Sequence, residues 1–155
     1  MPNTYTQIYI HIVFAVRGRQ NLIRRQFKEE IQKYISGIIQ KQRHKLLAIN
    51  CMPDHCHSFI GMRPDASLSD LVGDMKAYSS SFISGNGLVP GRFNWQEGFG
   101  AFSHCRHELD TVVKYIRNQE EHHRIKTFKE EYLTILREFN VKYDSKYLFE
   151  WIDIT

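Results

Sequence analysis

Two histidines two residues apart, His55 and His57, follow directly on a Pro53-Asp54 turn. Side chains on a strand alternate, so residues i and i+2 point to the same face. A strand from His55 to Met62 therefore presents both imidazoles on one side and turns Cys56 toward the other. Two neutral imidazoles so placed can hold one divalent cation, and imidazole suits manganese, zinc and similar ions. The pair lacks a third ligand, and surface histidines on an edge strand give the same pattern.

A second group lies on the predicted helix from Glu108 to about Ile125. At about 100° per residue, Leu109, Val112, Val113 and Ile116 form its apolar stripe. Tyr115 and Gln119 are four apart and stack on the flank of that stripe, and His122 continues the flank. A tyrosine there is held by the core and still reaches a cleft. The same placement fits a boundary aromatic that packs its ring and wets its hydroxyl, so helix geometry alone leaves its role open.

The elements that must position these residues follow from apolar periodicity. Gln7 to Val16 is rich in Ile, Val, Tyr and Phe and reads as a buried central strand. Arg17 to Asn21 is a polar loop. Phe27, Ile31, Tyr34, Ile35, Ile38 and Ile39 recur at helical spacing within a helix from about Arg24 to Arg43. Lys45 to Met52 and His55 to Met62 form a hairpin. Ser67 caps a helix whose stripe is Leu68, Leu71, Val72, Met75, Tyr78 and Phe82, with Asp70 three residues on. Gly85 to Gly91 reads as the loosest segment, Gly98 to Cys105 as a fourth strand, and Thr127 as the cap of a last helix to about Phe139. The aromatic tail, Tyr143 to Thr155, is expected to dock on the body or on a second subunit.

This order of elements predicts an α+β fold with a ferredoxin-like, split βαβ layout: one antiparallel sheet with helices on one face. The 155 residues, 42% of them hydrophobic, suffice for one globular domain spanning 1–155. The C-terminal helix and tail, from about 127, are appended to it. No apolar run approaches the ~18 residues of a membrane span. Three cysteines and a polar start predict reduced thiols in a cytoplasm. A formal charge of +4 permits a polyanionic partner without requiring one.

Met52-Pro53-Asp54-His55-Cys56-His57 resembles the histidine signature of HUH nucleases. Tyr115-Ile116-Arg117-Asn118-Gln119 resembles the catalytic helix of single-tyrosine HUH transposases of the insertion-sequence 200/605 type. The opening strand Tyr9 to Phe14, with the basic Arg17-Gly18-Arg19, is similar to that family's start. The resemblance runs from Tyr5 to Ile125, with Cys56 where the family has a larger aliphatic residue. It implies that His55, His57 and Gln119 bind Mg²⁺ or Mn²⁺, with His122 competing as third ligand. It implies that Tyr115 is the nucleophile that cuts and rejoins single-stranded DNA at hairpin-bearing element ends through a 5′-phosphotyrosine, in a homodimer that shares its sites.

Given a nucleic-acid partner, Arg17, Arg19, Arg24, Arg25 and Lys76, with Arg92 and Arg106, are candidates for a DNA track, and Tyr78, Phe93 or Trp95 for base stacking. Three other functions remain on the sequence: a domesticated palindrome-processing nuclease, a replication-initiator nickase, and a non-catalytic hairpin-binding or zinc module built on Cys51, His104, Cys105 and His107.

Overall fold

A computed structural model describes residues 3–19 and 22–148. Its elements are β1 (Tyr9–Ala15), α1 (Arg25–Lys41), β2 (Lys45–Met52), β3 (His55–Gly61), α2 (Leu68–Gly85), β4 (Gly100–His104), α3 (Leu109–Arg117), α4 (Gln119–His123) and α5 (Phe128–Glu138). The strands form one antiparallel sheet in the order β2-β3-β1-β4. Each β–α–β connection thus skips one strand, as the split βαβ layout predicts.

Strand alternation sorts the core into two layers. Ile12, Phe14, Cys56 and Ile60 point to one face, where Ile31, Ile35 and Ile39 of α1 and Leu71, Val72 and Met75 of α2 cover them. Val13, Ala15 and Phe102 point to the other face and meet Phe128, Tyr132, Ile135 and Leu136 of α5. Ala48 and Phe59 meet Val112 and Ile116 of α3. The split βαβ motif has its helices on one face, as expected. The later helices α3 and α5 cover the opposite face, because its strands present apolar side chains there too.

Both predicted helix caps are present: Ser67 Oγ accepts from the Asp70 amide, and Thr127 Oγ1 from the Glu130 amide. Two expectations need correction here. Tyr78 is 54% exposed, and Ser79 and Ile83 complete the α2 stripe in its place. The 85–91 segment is pinned, not loose: Leu88 and Val89 are buried, and Leu88 N donates to the Ile83 carbonyl. Of the tail, residues 149–155 lie outside the described residues.

The predicted single helix from Glu108 to Ile125 is two helices, broken at Asn118 (φ −95°, ψ 21°). The cause lies on β2. Buried Asn50 donates its side-chain amide to the Ile116 carbonyl at 2.9 Å, in place of the next-turn donor. A side chain inserted into the ladder kinks a helix. Asn50→Ala is expected to cost ~1–3 kcal/mol, because it orphans a buried carbonyl. The urea midpoint of unfolding checks this.

Candidate active site

The β2–β3 turn anchors one end of the site. Val16 N donates to the Asp54 carbonyl at 2.9 Å and Ile23 N to the Pro53 carbonyl at 3.0 Å. These bonds fold the β1–α1 connection against the turn that delivers His55. On the sheet face below α3, α4 and α5, His11, His55 and His57 are all buried.

Each histidine has a fixed orientation. His55 Nδ1 donates to Asp54 Oδ1 at 2.7 Å, and its ring lies flat on Phe128 with centroids 3.9 Å apart. Its Nε2 is buried and has no hydrogen-bond partner among the described residues. His57 Nδ1 is bonded to His11 Nε2 at 2.7 Å, and His57 Nε2 lies 3.0 Å from Glu131 Oε1. Burial lowers the His55 pKa to about 4, and the Asp54 hydrogen bond opposes that shift only in part. Burial also lowers His11, helped by the neighbouring His57 and His104. Neutral imidazoles with a free nitrogen are what a divalent cation requires.

Glu131, on α5, stands at the centre. Its Oε1 is 3.0 Å from His57 Nε2, 3.2 Å from His123 Nε2 and 3.7 Å from His55 Nε2. Its Oε2 accepts from the Tyr115 hydroxyl and, at 3.0 Å, from Gln119 Nε2. Burial alone would raise this carboxyl, but the imidazoles of His57, His123 and His55 outweigh it and hold the group ionised, well below the usual carboxylate range. The Tyr115 hydroxyl is pushed far above its ordinary value by burial and by the Glu131 charge.

The structure brings His55, His57, Tyr115 and Gln119 together within one chain, with Gln119 fully buried. Sequence reasoning missed Glu131 and His123. Ligand atoms of His55, His57, His123 and Glu131 all lie within 4.8 Å of one another, a group able to hold a metal ion. His122 points elsewhere and packs on the Tyr115 ring at 4.9 Å. The break at Asn118 sets this division between the adjacent histidines. A cavity of about 400 Å³ opens beside Tyr115, lined also by His104, Val112, His122 and Phe139.

The basic residues divide. Arg17, Arg24, Arg92 and Arg106 are exposed. Arg25 reaches Glu120 at 3.5 Å while staying 88% exposed, and the Arg19 side chain is outside the described residues. Lys76 is tied into the fold, its Nζ donating to the Gln96 carbonyl at 2.8 Å and to that of Gly98. Phe93 and Trp95 are core residues, with Trp95 Nε1 donating to Ser79 Oγ at 2.8 Å. Neither can stack on a base, and of the three aromatics only Tyr78 is exposed. The zinc alternative loses one of its four donors: Cys51 Sγ lies 3.2 Å from Cys56 Sγ in the layer under α1, away from the face of His104.

The family model for IS200-like transposases matches residues 4–119. The chain belongs to the IS200-like transposase family. That span includes His55, His57, Tyr115 and Gln119 and stops before His123 and Glu131. Two solved structures share the fold. A candidate transposase from Deinococcus radiodurans R1 is 18% identical, with a TM-score of 0.61 over 77% of this chain and 95% of that one. A REP-associated tyrosine transposase bound to a REP hairpin is 16% identical, with a TM-score of 0.58 over 79% of this chain and 73% of that one. None of the curated proteins compared with the chain matches it.

The site also predicts acid lability. His55 has a folded pKa near 4 against 6.5 for the free side chain. Between these values the unfolded chain binds more protons than the folded one. The contribution of His55 to stability is complete above pH 6.5 and is lost as pH falls toward 4, on the order of 3 kcal/mol. The shift at His11 has the same sign. Urea midpoints at pH 7 and pH 5 measure the loss.

Proposed function

We propose that this transposase cuts and rejoins single-stranded DNA through a covalent bond to Tyr115, with Mg²⁺ or Mn²⁺ held by His55, His57 and Gln119. One observation carries the reading: the Tyr115 hydroxyl and His57 Nε2 bond to opposite oxygens of one carboxylate, Glu131. The family's nucleophile and its histidine pair thus share a site. The donors fit a cation: His55 Nε2 is buried and unpartnered among the described residues, and Asp54 and His11 orient the two rings from behind.

His55, His57 and Gln119 would hold the divalent cation, which would supply Lewis-acid polarisation of the phosphate oxygens and offset the Glu131 charge, favouring the phenolate. The Tyr115 oxygen attacks phosphorus in line. The bond from phosphorus to the 3′ oxygen breaks, the proton released by the Tyr115 hydroxyl goes to solvent and the departing oxygen takes one up. This leaves a free 3′-hydroxyl and a 5′-phosphotyrosine, which conserves the bond for rejoining. His57 needs a proton on Nδ1 to leave Nε2 free, and His11 Nε2 accepts that proton's hydrogen bond. The strand enters by the cavity beside Tyr115, and Arg17, Arg24 and Arg25 flank the turn that carries His55.

Hairpin DNA is the proposed substrate, supported by the REP hairpin bound in a protein of the same fold. A domesticated palindrome processor would use the same site and differ only in the DNA it is given. A homodimer is proposed from family membership. The test is incubation with single-stranded hairpins from the flanks of its coding region and Mn²⁺. A covalent protein–DNA adduct on a denaturing gel is expected; intact DNA with bound protein would instead favour a non-catalytic hairpin binder.

A further inference from the structure

We propose that Glu131 is a direct metal ligand, so that the C-terminal helix α5 is part of the catalytic centre. The proposal rests on the metal site inferred above and adds to it a carboxylate donor outside the family-matched residues 4–119.

The spacing of the donor atoms suits one shared ion, which would take the place of the hydrogen bonds that His57 and His123 make to the carboxylate. Neighbouring donors about 2.1 Å from an octahedral ion stand about 3.0 Å from one another. Glu131 Oε1 lies 3.0 Å from His57 Nε2 and 3.7 Å from His55 Nε2. The longer value exceeds any hydrogen bond, and His55 Nε2 accordingly has no hydrogen-bond partner among the described residues. An ion among these three atoms would satisfy them together.

The local sequence holds Glu131 in place. Phe128, Tyr132, Ile135 and Leu136 bury one face of α5, and Glu131, only 6% exposed, lies on that face. Phe128 stacks on the His55 ring, so α5 docks on the same imidazole that its carboxylate approaches. Gln119 Nε2 and the Tyr115 hydroxyl hold the other carboxylate oxygen, which leaves Oε1 facing the histidines. Glu131 therefore links the metal site to the nucleophile. A carboxylate beside two imidazoles also suits Mn²⁺.

The test is Mn²⁺ binding followed by electron paramagnetic resonance, with Co²⁺ absorption as a second probe. Wild type, Glu131→Gln, Glu131→Ala and His57→Ala are compared after circular dichroism shows each is folded. Glu131→Gln keeps the side chain's shape and one acceptor oxygen, and replaces the charged second oxygen with an amide NH2. It is expected to weaken Mn²⁺ binding by at least about tenfold and to shift the Co²⁺ bands; a residue that only orients the histidines can weaken binding too, and the change of donor set read in the Co²⁺ bands is what separates a ligand from it. Wild-type affinity and Co²⁺ spectra in both Glu131 variants, with His57→Ala impaired, would overturn this proposal alone. Wild-type affinity in His57→Ala as well would overturn the metal site and this proposal with it.

Discussion

Tyr115→Phe is expected to abolish the covalent DNA adduct, lowering strand cleavage on the order of 10³-fold or more while leaving hairpin binding intact. The substitution removes one oxygen. The ring keeps its edge contacts with His11 and His57 and its packing on His122. Glu131 loses one hydrogen-bond donor but keeps Gln119, His57 and His123, so the cost in stability is about 1 kcal/mol. A large loss of activity with a nearly unchanged melting temperature separates a nucleophile from a packing aromatic. Denaturing gels and a thermal melt on one preparation measure both. Residual adduct at wild-type levels would move the nucleophile to another residue.

His57→Ala is the second large effect. It removes a donor from the metal group and also frees two buried partners, His11 Nε2 and Glu131 Oε1. Cleavage is expected to fall at least about 10²-fold. Wild type should melt at a higher temperature when Mn²⁺ is added, because an ion that binds only the folded state stabilises it. His57→Ala should lose most of that rise and melt lower without metal, by about 1–3 kcal/mol of stability. A full Mn²⁺-induced rise in the variant would place the cation elsewhere.

The parts of the fold set by local pattern were legible. The β2–β3 hairpin follows from two apolar runs around Pro53-Asp54, and Ser67 and Thr127 announce their helices as caps. The histidine pair was readable because a strand's period of two forces His55 and His57 to one face. Other features depend on residues distant in the chain. The break at Asn118 is caused by Asn50, 66 residues away, and nothing in the helix's own sequence announces it. The break also decides that His123, and not His122, faces the cluster. Phe93 and Trp95 looked available for stacking because aromatic residues in a polar loop carry no sign of burial. Glu131 did leave a signal: it lies between Phe128 and Ile135 at the spacing of an apolar stripe, where a lone carboxylate requires a partner.

Tyr115 drew its role from the family signature, and the structure supplies a physical setting for it, with its hydroxyl on the carboxylate that also meets His57. The most direct measurement is proteolytic mapping by mass spectrometry of the protein–DNA adduct formed with a single-stranded hairpin and Mn²⁺. The predicted result is a nucleotide mass, attached through a 5′-phosphate, on the peptide containing Tyr115. A modified peptide lacking Tyr115, or cleavage of the strand with no covalent peptide at all, would contradict the account.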